Sequence, residues 1–324
     1  MAIAITGGAG YIGSHTVKRM LEQQFSVVVF DNLSRGHREA VPEGVPFEQV
    51  DLMNPDQLKA AFSRYDIDAV VHFAAFAYVG ESTAHPEMYF YNNTVGSLNL
   101  LRTMRELGIS SIVFSSTCSL YGNPSKVPID ESAVVQPINP YARSKAMVEQ
   151  LLQEYELAYN LKYVALRYFN AAGASVTGGI GESHDPEPHL IPIILSAAAG
   201  KRTNVTVFGD DYPTADGTCI RDYIHVDDLA DAHISAVRYL LNGNESTVIN
   251  LGTGTGNSVL EVIRKTESIT GKEVPFTVGP RREGDPAVLV ADNQKAHAIL
   301  GWKPQYGIET VIESAWKWHQ NQRY

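Results

Sequence analysis

Residues 2–6 form a short unbroken apolar run, the pattern of a strand buried on both faces, and a glycine-rich stretch separates it from an amphipathic segment that continues through Gln23. The beat repeats. Apolar runs at 26–30, 69–73, 111–116 and 162–169 predict strands. Stretches from Pro55 behind an Asn54 cap, from about 87 to 106, and from Pro140 predict helices. Alternating strands and helices imply a parallel sheet covered on both faces, and such sheets bind ligands outside the carboxyl ends of their strands. Asp51, Phe73, Ala74, Ala75, Ser115, Ser116, Thr117, Phe169 and Asn170 stand at predicted strand ends and are expected to line one crevice.

Beyond Asn170 the rhythm breaks into Gly-, Pro- and His-rich segments around helices predicted near 229–241, 259–270 and 308–321 and a strand at 248–251. At 324 residues the chain exceeds the size at which one core stops growing. The resulting picture is α/β: a Rossmann-like doubly wound parallel sheet with a smaller, interleaved C-terminal substrate-binding lobe. Residues 1–170 form the dinucleotide-binding domain, with later segments returning to it, and residues 171–324 form mainly the second lobe.

The glycine stretch, Gly7-Gly8-Ala9-Gly10-Tyr11-Ile12-Gly13, is placed as a pyrophosphate requires. Gly7, Gly10 and Gly13, with Tyr11 and Ile12 between the last two, allow a tight turn and a close backbone approach, and the N–H groups of the helix start face the charge. The next strand ends in Asp31, eighteen positions beyond Gly13, where a carboxylate accepts from the adenosine ribose hydroxyls. That carboxylate would repel a 2′-phosphate, so NAD is expected over NADP, with Arg35 and Arg38 arguing the other way.

Asn139-Pro140-Tyr141-Ala142-Arg143-Ser144-Lys145 supplies the chemistry. A proline in the first turn sets Tyr141 and Lys145 on one helix face. A phenol of pKa about 10 serves as a base at neutral pH only beside a cation, and Lys145 is one turn away. With a dinucleotide and the hydroxyls at 115–117, this makes an alcohol–ketone redox site. Tyr141 is the acid–base group, Lys145 lowers its pKa and binds the nicotinamide ribose, and Thr117 orients the substrate oxygen.

Composition narrows the partners. A formal charge of −10 argues against nucleic acid, and 44% apolar with 19% charged residues is the make-up of a folded globular chain. Cys118 and Cys219 are too few for a disulfide framework, and no segment has the apolar length of a membrane span, so a cytoplasmic protein is expected. Arg221 and Arg282 suit a phosphate, and equally suit ion pairs with Asp222 or Asp285.

Several segments are more specific than the glycine loop, above all Asp216-Gly217-Thr218-Cys219-Ile220-Arg221-Asp222-Tyr223-Ile224-His225 and Arg281-Arg282-Glu283-Gly284-Asp285. With Asp31-Asn32-Leu33, His72-Phe73-Ala74-Ala75 and Tyr141 to Lys145, they make the chain resemble the extended short-chain dehydrogenase/reductase superfamily. Within it, the resemblance is to the UDP-glucose 4-epimerases over essentially the full length. It implies a tightly held NAD that takes a hydride from sugar C4 and returns it to the other face of a UDP-tethered 4-keto sugar. It further implies that Asn32, Leu52, Ala77, Asn92 and Phe169 join the cofactor site. Arg221, Arg282 and Asn170 would hold the diphosphate, Phe208 the uracil and Asp285 the uridine ribose, while Tyr223, His189 and Leu190 line the sugar pocket. A homodimer is implied as well. The chain departs from the best-studied members in having Thr117 for Ser, Ala77 for Lys and Leu289 for a bulky Tyr, the last bearing on substrate range.

The segment His184-Asp185-Pro186-Glu187-Pro188-His189 has metal-binding residue types, but its two prolines predict an extended loop and no Cys or further His completes a shell, so no metal is expected. A UDP-xylose/UDP-arabinose 4-epimerase is the alternative within the same chemistry. A nucleotide-sugar dehydratase would need an acid–base pair after Thr117, where Cys118-Ser119 stand, and a non-catalytic nucleotide-binding protein would have no use for Tyr141 and Lys145.

Overall fold

Seven strands make the main sheet, in the order Thr247–Leu251, Lys162–Tyr168, Ser111–Ser115, Ile67–His72, Ala2–Thr6, Val27–Asp31 and Phe47–Gln49. The structure is a computed structural model that describes residues 2–282 and 285–324. From Lys162–Tyr168 to Phe47–Gln49 every neighbouring pair is parallel. The chain leaves Ala2–Thr6 toward one edge and then returns to its other side at Ile67–His72. Strand order therefore reverses between these two, the switch point at which doubly wound sheets bind ligands.

The chain divides into two compact units. The first comprises the chain up to Tyr121, then Val135–Arg167 and Ala230–Ile249; the second comprises Gly122–Val134, Tyr168–Leu229 and Asn250–Tyr324. In the first, Phe30, Phe62, Leu100, Met104, Ile112 and Phe114 pack between sheet and helices and are essentially inaccessible. Burying each such side chain contributes about 1.5–3 kcal/mol. The helices start where expected. Asn54 caps Pro55–Phe62 through the Gln57 N–H, and Asn139 caps Pro140–Tyr159 through the Ala142 N–H, each with proline in the first turn.

The helix predicted from 87 to 106 is not uniform. Pro86–Tyr89 is α-helical, Phe90–Val95 is a π-turn, and Gly96–Leu107 resumes the α-helix. The wider turn carries Asn93 into the core, where its side chain bonds the backbone N–H and carbonyl of Phe76 and the Ser144 hydroxyl. A hydrophobic pattern read at 3.6 residues per turn does not register one inserted residue.

A buried ion pair ties two strands to the Pro140 helix. Arg167, on Lys162–Tyr168, donates from Nε to Glu149 at 2.9 Å and from a terminal nitrogen to the other carboxylate oxygen; it also donates to Tyr121 Oη at 3.1 Å. Ser116, just past Ser111–Ser115, donates to the same carboxylate. Burial alone works against the Arg167 charge, and Glu149 outweighs it, raising the guanidinium pKa further.

In the second unit, Ile220–His225 pairs with Gly256–Ser258, Val288–Leu289 and Asn170–Ala172, and Val205–Phe208 pairs with Phe276–Gly279. These short strands escape the hydrophobic pattern. Phe276 and Val278 are themselves exposed. The unit is held by helices Leu190–Ala198, Val259–Thr270 and Ile308–Gln320, whose Ile194, Leu195, Val262, Ile263, Val311 and Ile312 form one cluster. Among the described residues no helix is long and apolar enough to cross a membrane.

Arg167→Met strands the Glu149 carboxylate without its counter-charge and is expected to lower the unfolding free energy by about 3–5 kcal/mol. The double variant with Glu149→Met should lose less than the two single losses combined. Urea unfolding of the four proteins measures this, and strictly additive losses would show the pair to be uncoupled.

Candidate active site

The switch point is built from two backbone turns in contact. The N–H groups of Phe73 and Ala74 both donate to the Thr6 carbonyl, and Gly7 adopts φ +73°. A Cβ on Gly7 would lie 2.5 Å from Ala74 N, and one on Gly13 would lie 2.2 Å from the Gly7 carbonyl oxygen, so both positions require glycine. The helix that follows, Tyr11–Glu22, begins at Gly10 with no side-chain cap and no acidic residue in its first turn. Such a start favours an anion.

Asp31 ends its strand buried, accepting from the Ala9 N–H at 2.9 Å through one oxygen and from the Leu33 N–H at 2.8 Å through the other. Burial pushes its carboxyl above the usual range, and the two N–H donors pull it back. Each oxygen keeps a lone pair for a ribose hydroxyl. Asn32 donates to Asp51, which also accepts from the Met53 N–H. The residues therefore fit a dinucleotide.

Both arginines that argued for NADP are engaged elsewhere. Arg35 pairs with Glu81 at 2.7 Å and lies over Phe76 and Tyr78; Arg38 lies over Phe47 and donates to the Val41 carbonyl. Ala77 is exposed and brings no charge, and Asn92 donates to Asn93, the residue that enters the core. The Phe73 ring packs on His233, and Leu52 lies against Gly96.

Lys145 sits one turn beyond Tyr141, buried, its Nζ donating to the Ser115 carbonyl at 2.8 Å and lying 4.9 Å from the Phe114 ring centroid. Burial pulls its ammonium down to about 7, against the pull of Glu149 one turn further on. Tyr141 is itself buried, its ring edge-on to Tyr89, whose hydroxyl donates to Glu81, the carboxylate that holds Arg35. Thr117 Oγ1 accepts from the Ser119 N–H at 3.1 Å, which leaves its O–H to donate. His72 bridges Thr6 and Ser97, and burial followed by the Lys145 charge lowers it to about 3, so it is a neutral core residue. Glu149 and Arg167 escaped the sequence reading, although the spacing of Tyr141, Lys145 and Glu149 places all three on one helix face.

In the second unit, Arg221 donates to Asp285 at 2.5 Å and to the Ile220 carbonyl, and Leu289 is its register partner on the adjoining strand. Asp222 serves differently. Its buried carboxylate accepts from the N–H groups of Thr253, Gly254 and Ala291 and from the Thr253 hydroxyl, fastening two loops. Asn170 pairs with Tyr223 in register and donates to the Asp222 carbonyl. Burial raises the Tyr223 phenol, which stays protonated. The Arg282 guanidinium lies 4.1 Å from the Phe208 ring centroid. Glu283 and Gly284 lie outside the described residues. Phe169 is buried beyond its strand, its N–H donating to the Leu251 carbonyl. His189 precedes Leu190–Ala198 and directs Nδ1 at Glu182 and Glu187, so this nitrogen faces carboxylates.

A doubly wound sheet with a glycine cradle at its switch point and a buried Tyr–Lys helix defines a dinucleotide-dependent α/β protein. The chain belongs to the NAD dependent epimerase/dehydratase family, which matches residues 3–252. A UDP-glucose 4-epimerase of Lacticaseibacillus casei is 53% identical over 322 residues, 99% of this chain and 97% of the relative. A solved UDP-glucose 4-epimerase from Brucella ovis in complex with NAD superposes with a TM-score of 0.95 at 46% identity, covering 98% of this chain and 97% of that one. A Stenotrophomonas maltophila UDP-glucose-4-epimerase with bound NAD and formylated UDP-arabinopyranose gives 0.96 at 42% identity, covering 99% and 98%.

The Lys145 environment has a consequence for stability. Unfolded, the amine titrates near 10.5; folded, at about 7. Its burial penalty is thus absent above the first value, accrues as pH falls, and is complete below the second. Nucleotide-free protein is expected to gain stability from Lys145 as pH rises through that window, and Lys145→Met should lack this part of the gain. Melting temperatures of both proteins across the window test it, with parallel curves as the contrary result.

Proposed function

We propose that this protein interconverts UDP-glucose and UDP-galactose by transient oxidation at sugar C4 with tightly bound NAD. What carries the reading is the buried Tyr141–Lys145 pair beside a complete dinucleotide cradle, in a chain 53% identical to a UDP-glucose 4-epimerase over 99% of its length. NAD, when bound, supplies a reversible acceptor for the hydrogen on C4 and its electron pair. Gly7, Gly10, Tyr11, Ile12 and Gly13 hold its pyrophosphate, Asp31 and Asn32 its adenosine ribose, and Lys145 its nicotinamide ribose.

Tyr141 Oη takes the C4 hydroxyl proton as the carbon–hydrogen bond breaks and returns it when that bond re-forms on the opposite face. Lys145, held in place by the Ser115 carbonyl, stabilises the phenolate during that exchange. Thr117 donates its remaining O–H to the C4 oxygen. Arg221, Arg282 and Asn170 grip the diphosphate, because a guanidinium fork matches phosphate oxygens, while Phe208 covers the uracil and Asp285 binds the uridine ribose. Tyr223, His189, Leu190 and Leu289 surround the sugar, which must turn over without the nucleotide letting go. A UDP-pentose is the second reading, favoured by the formylated UDP-arabinopyranose in the Stenotrophomonas structure.

Purified protein incubated with UDP-galactose, and separately with UDP-xylose, without added cofactor, is expected to produce UDP-glucose in the first case. Product from UDP-xylose alone would favour the pentose reading, and no product from either would reject both. Tyr141→Phe should keep fold and nucleotide while losing about 10²- to 10⁴-fold in kcat; near-normal turnover would remove Tyr141 from its role.

The same preparation is expected to release NAD on denaturation, and Gly13→Ala to release none, since the added carbon occupies the turn. Nucleotide in the supernatants settles the point. NADP, or equal NAD from both proteins, would contradict the assigned cradle.

A further inference from the structure

The sugar-nucleotide reaction gives no part to Glu182, His184 or Glu187, which gather around His189 at the edge of the sugar-lining segment. Glu182, His184, Glu187 and His189 converge in the second unit, each offering a ligand atom, and these atoms all lie within 4.8 Å of one another. His184 Nδ1 is 3.2 Å from a Glu182 oxygen and 3.4 Å from a Glu187 oxygen; His189 Nδ1 is 2.6 Å and 3.0 Å from the same two residues. The segment from His184 to His189 supplies three of the ligands, and the fold brings the fourth from Glu182, two residues upstream, whose side chain is almost wholly buried.

We propose that these four side chains form a closed, four-coordinate site for a divalent transition metal, zinc in the first instance, which clamps the segment leading into the Leu190–Ala198 helix. The donor set is two imidazoles and two carboxylates, a combination that zinc accepts. A tetrahedral site with bonds of about 2.0–2.1 Å has donor–donor edges of about 3.3 Å, so the side chains reach it by small rotations. All four positions are filled by protein, which makes the site structural, with no coordination position kept open for substrate or water.

The scaffold holds the ligands in advance. The Glu182 carbonyl accepts from Trp318 Nε1 at 2.7 Å, and Gly181 lies so flat on the Trp318 ring that a Cβ there would sit 2.3 Å from it. Ser183 donates to the Tyr324 carbonyl at 3.0 Å, and the His189 N–H donates to Glu187 at 2.9 Å.

Protein treated with chelator and titrated with zinc chloride is expected to bind one zinc per chain at micromolar concentration or below. Calorimetry reads the affinity, and elemental analysis reads the metal. Cobalt(II) in place of zinc should give the intense visible absorption of a tetrahedral site. His184→Ala and Glu187→Gln are each expected to weaken zinc binding at least about 100-fold. Absence of stoichiometric zinc on the unmodified chain overturns the proposal, as does zinc binding that both variants leave unchanged. If the variants fail to fold, the cobalt spectrum of the unmodified chain decides, and weak octahedral bands or none would count against the site.

Discussion

A buried amine sets the terms for the first unit. Lys145 lies where its charge is disfavoured by burial, held by one backbone carbonyl and sustained by a carboxylate one helical turn away. Glu149 in turn is neutralised by Arg167 and bonded by Ser116. The helix that carries Tyr141 is therefore fixed to two strands of the sheet by charge as well as by apolar packing. A satisfied buried network holds a helix more rigidly than water-exposed charge would.

The cradle at the switch point rests on a different constraint, which is volume. At Gly7 and Gly13 there is no room for a single carbon, because two turns of backbone meet there. Asp31 completes the cradle with a carboxylate already oriented by two backbone donors. The nearby arginines are kept from competing, Arg35 by Glu81 and two aromatic rings, Arg38 by Phe47. The Glu81 carboxylate also receives the Tyr89 hydroxyl, and Tyr89 abuts Tyr141, so Arg35 and Tyr141 are joined through one run of contacts.

In the second unit, acidic residues at the ends of elements divide their labour. Asp222 is spent entirely on backbone and a threonine, fastening the loop at Thr253 and the strand end at Ala291. Asp228 does the same for Gln305 and Tyr306. Asp285 faces an arginine, Arg221. Three aspartates of the same chemistry thus serve as two loop fasteners and one charge partner, and only their surroundings distinguish them.

The sequence by itself determined the strands and helices of the doubly wound sheet, the glycine turn, Asp31 and the Tyr141–Lys145 helix. Each of these is a local matter. Apolar runs, capping asparagines and prolines act within a few residues of themselves, and the spacing of Tyr141 and Lys145 is set by one helical turn. The short strands of the second unit were largely illegible because they are brief, partly exposed and paired across long intervals, so no periodic pattern marks them. The π-turn at Phe90–Val95 was illegible because one extra residue leaves the apolar face nearly intact. Only tertiary structure decided which aspartate meets Arg221, that Arg167 reaches Glu149 from another element, and that Glu182 joins His184, Glu187 and His189. Those pairings depend on where distant or loop-borne segments come to rest, and the energy of a charge depends on the burial and partners found there.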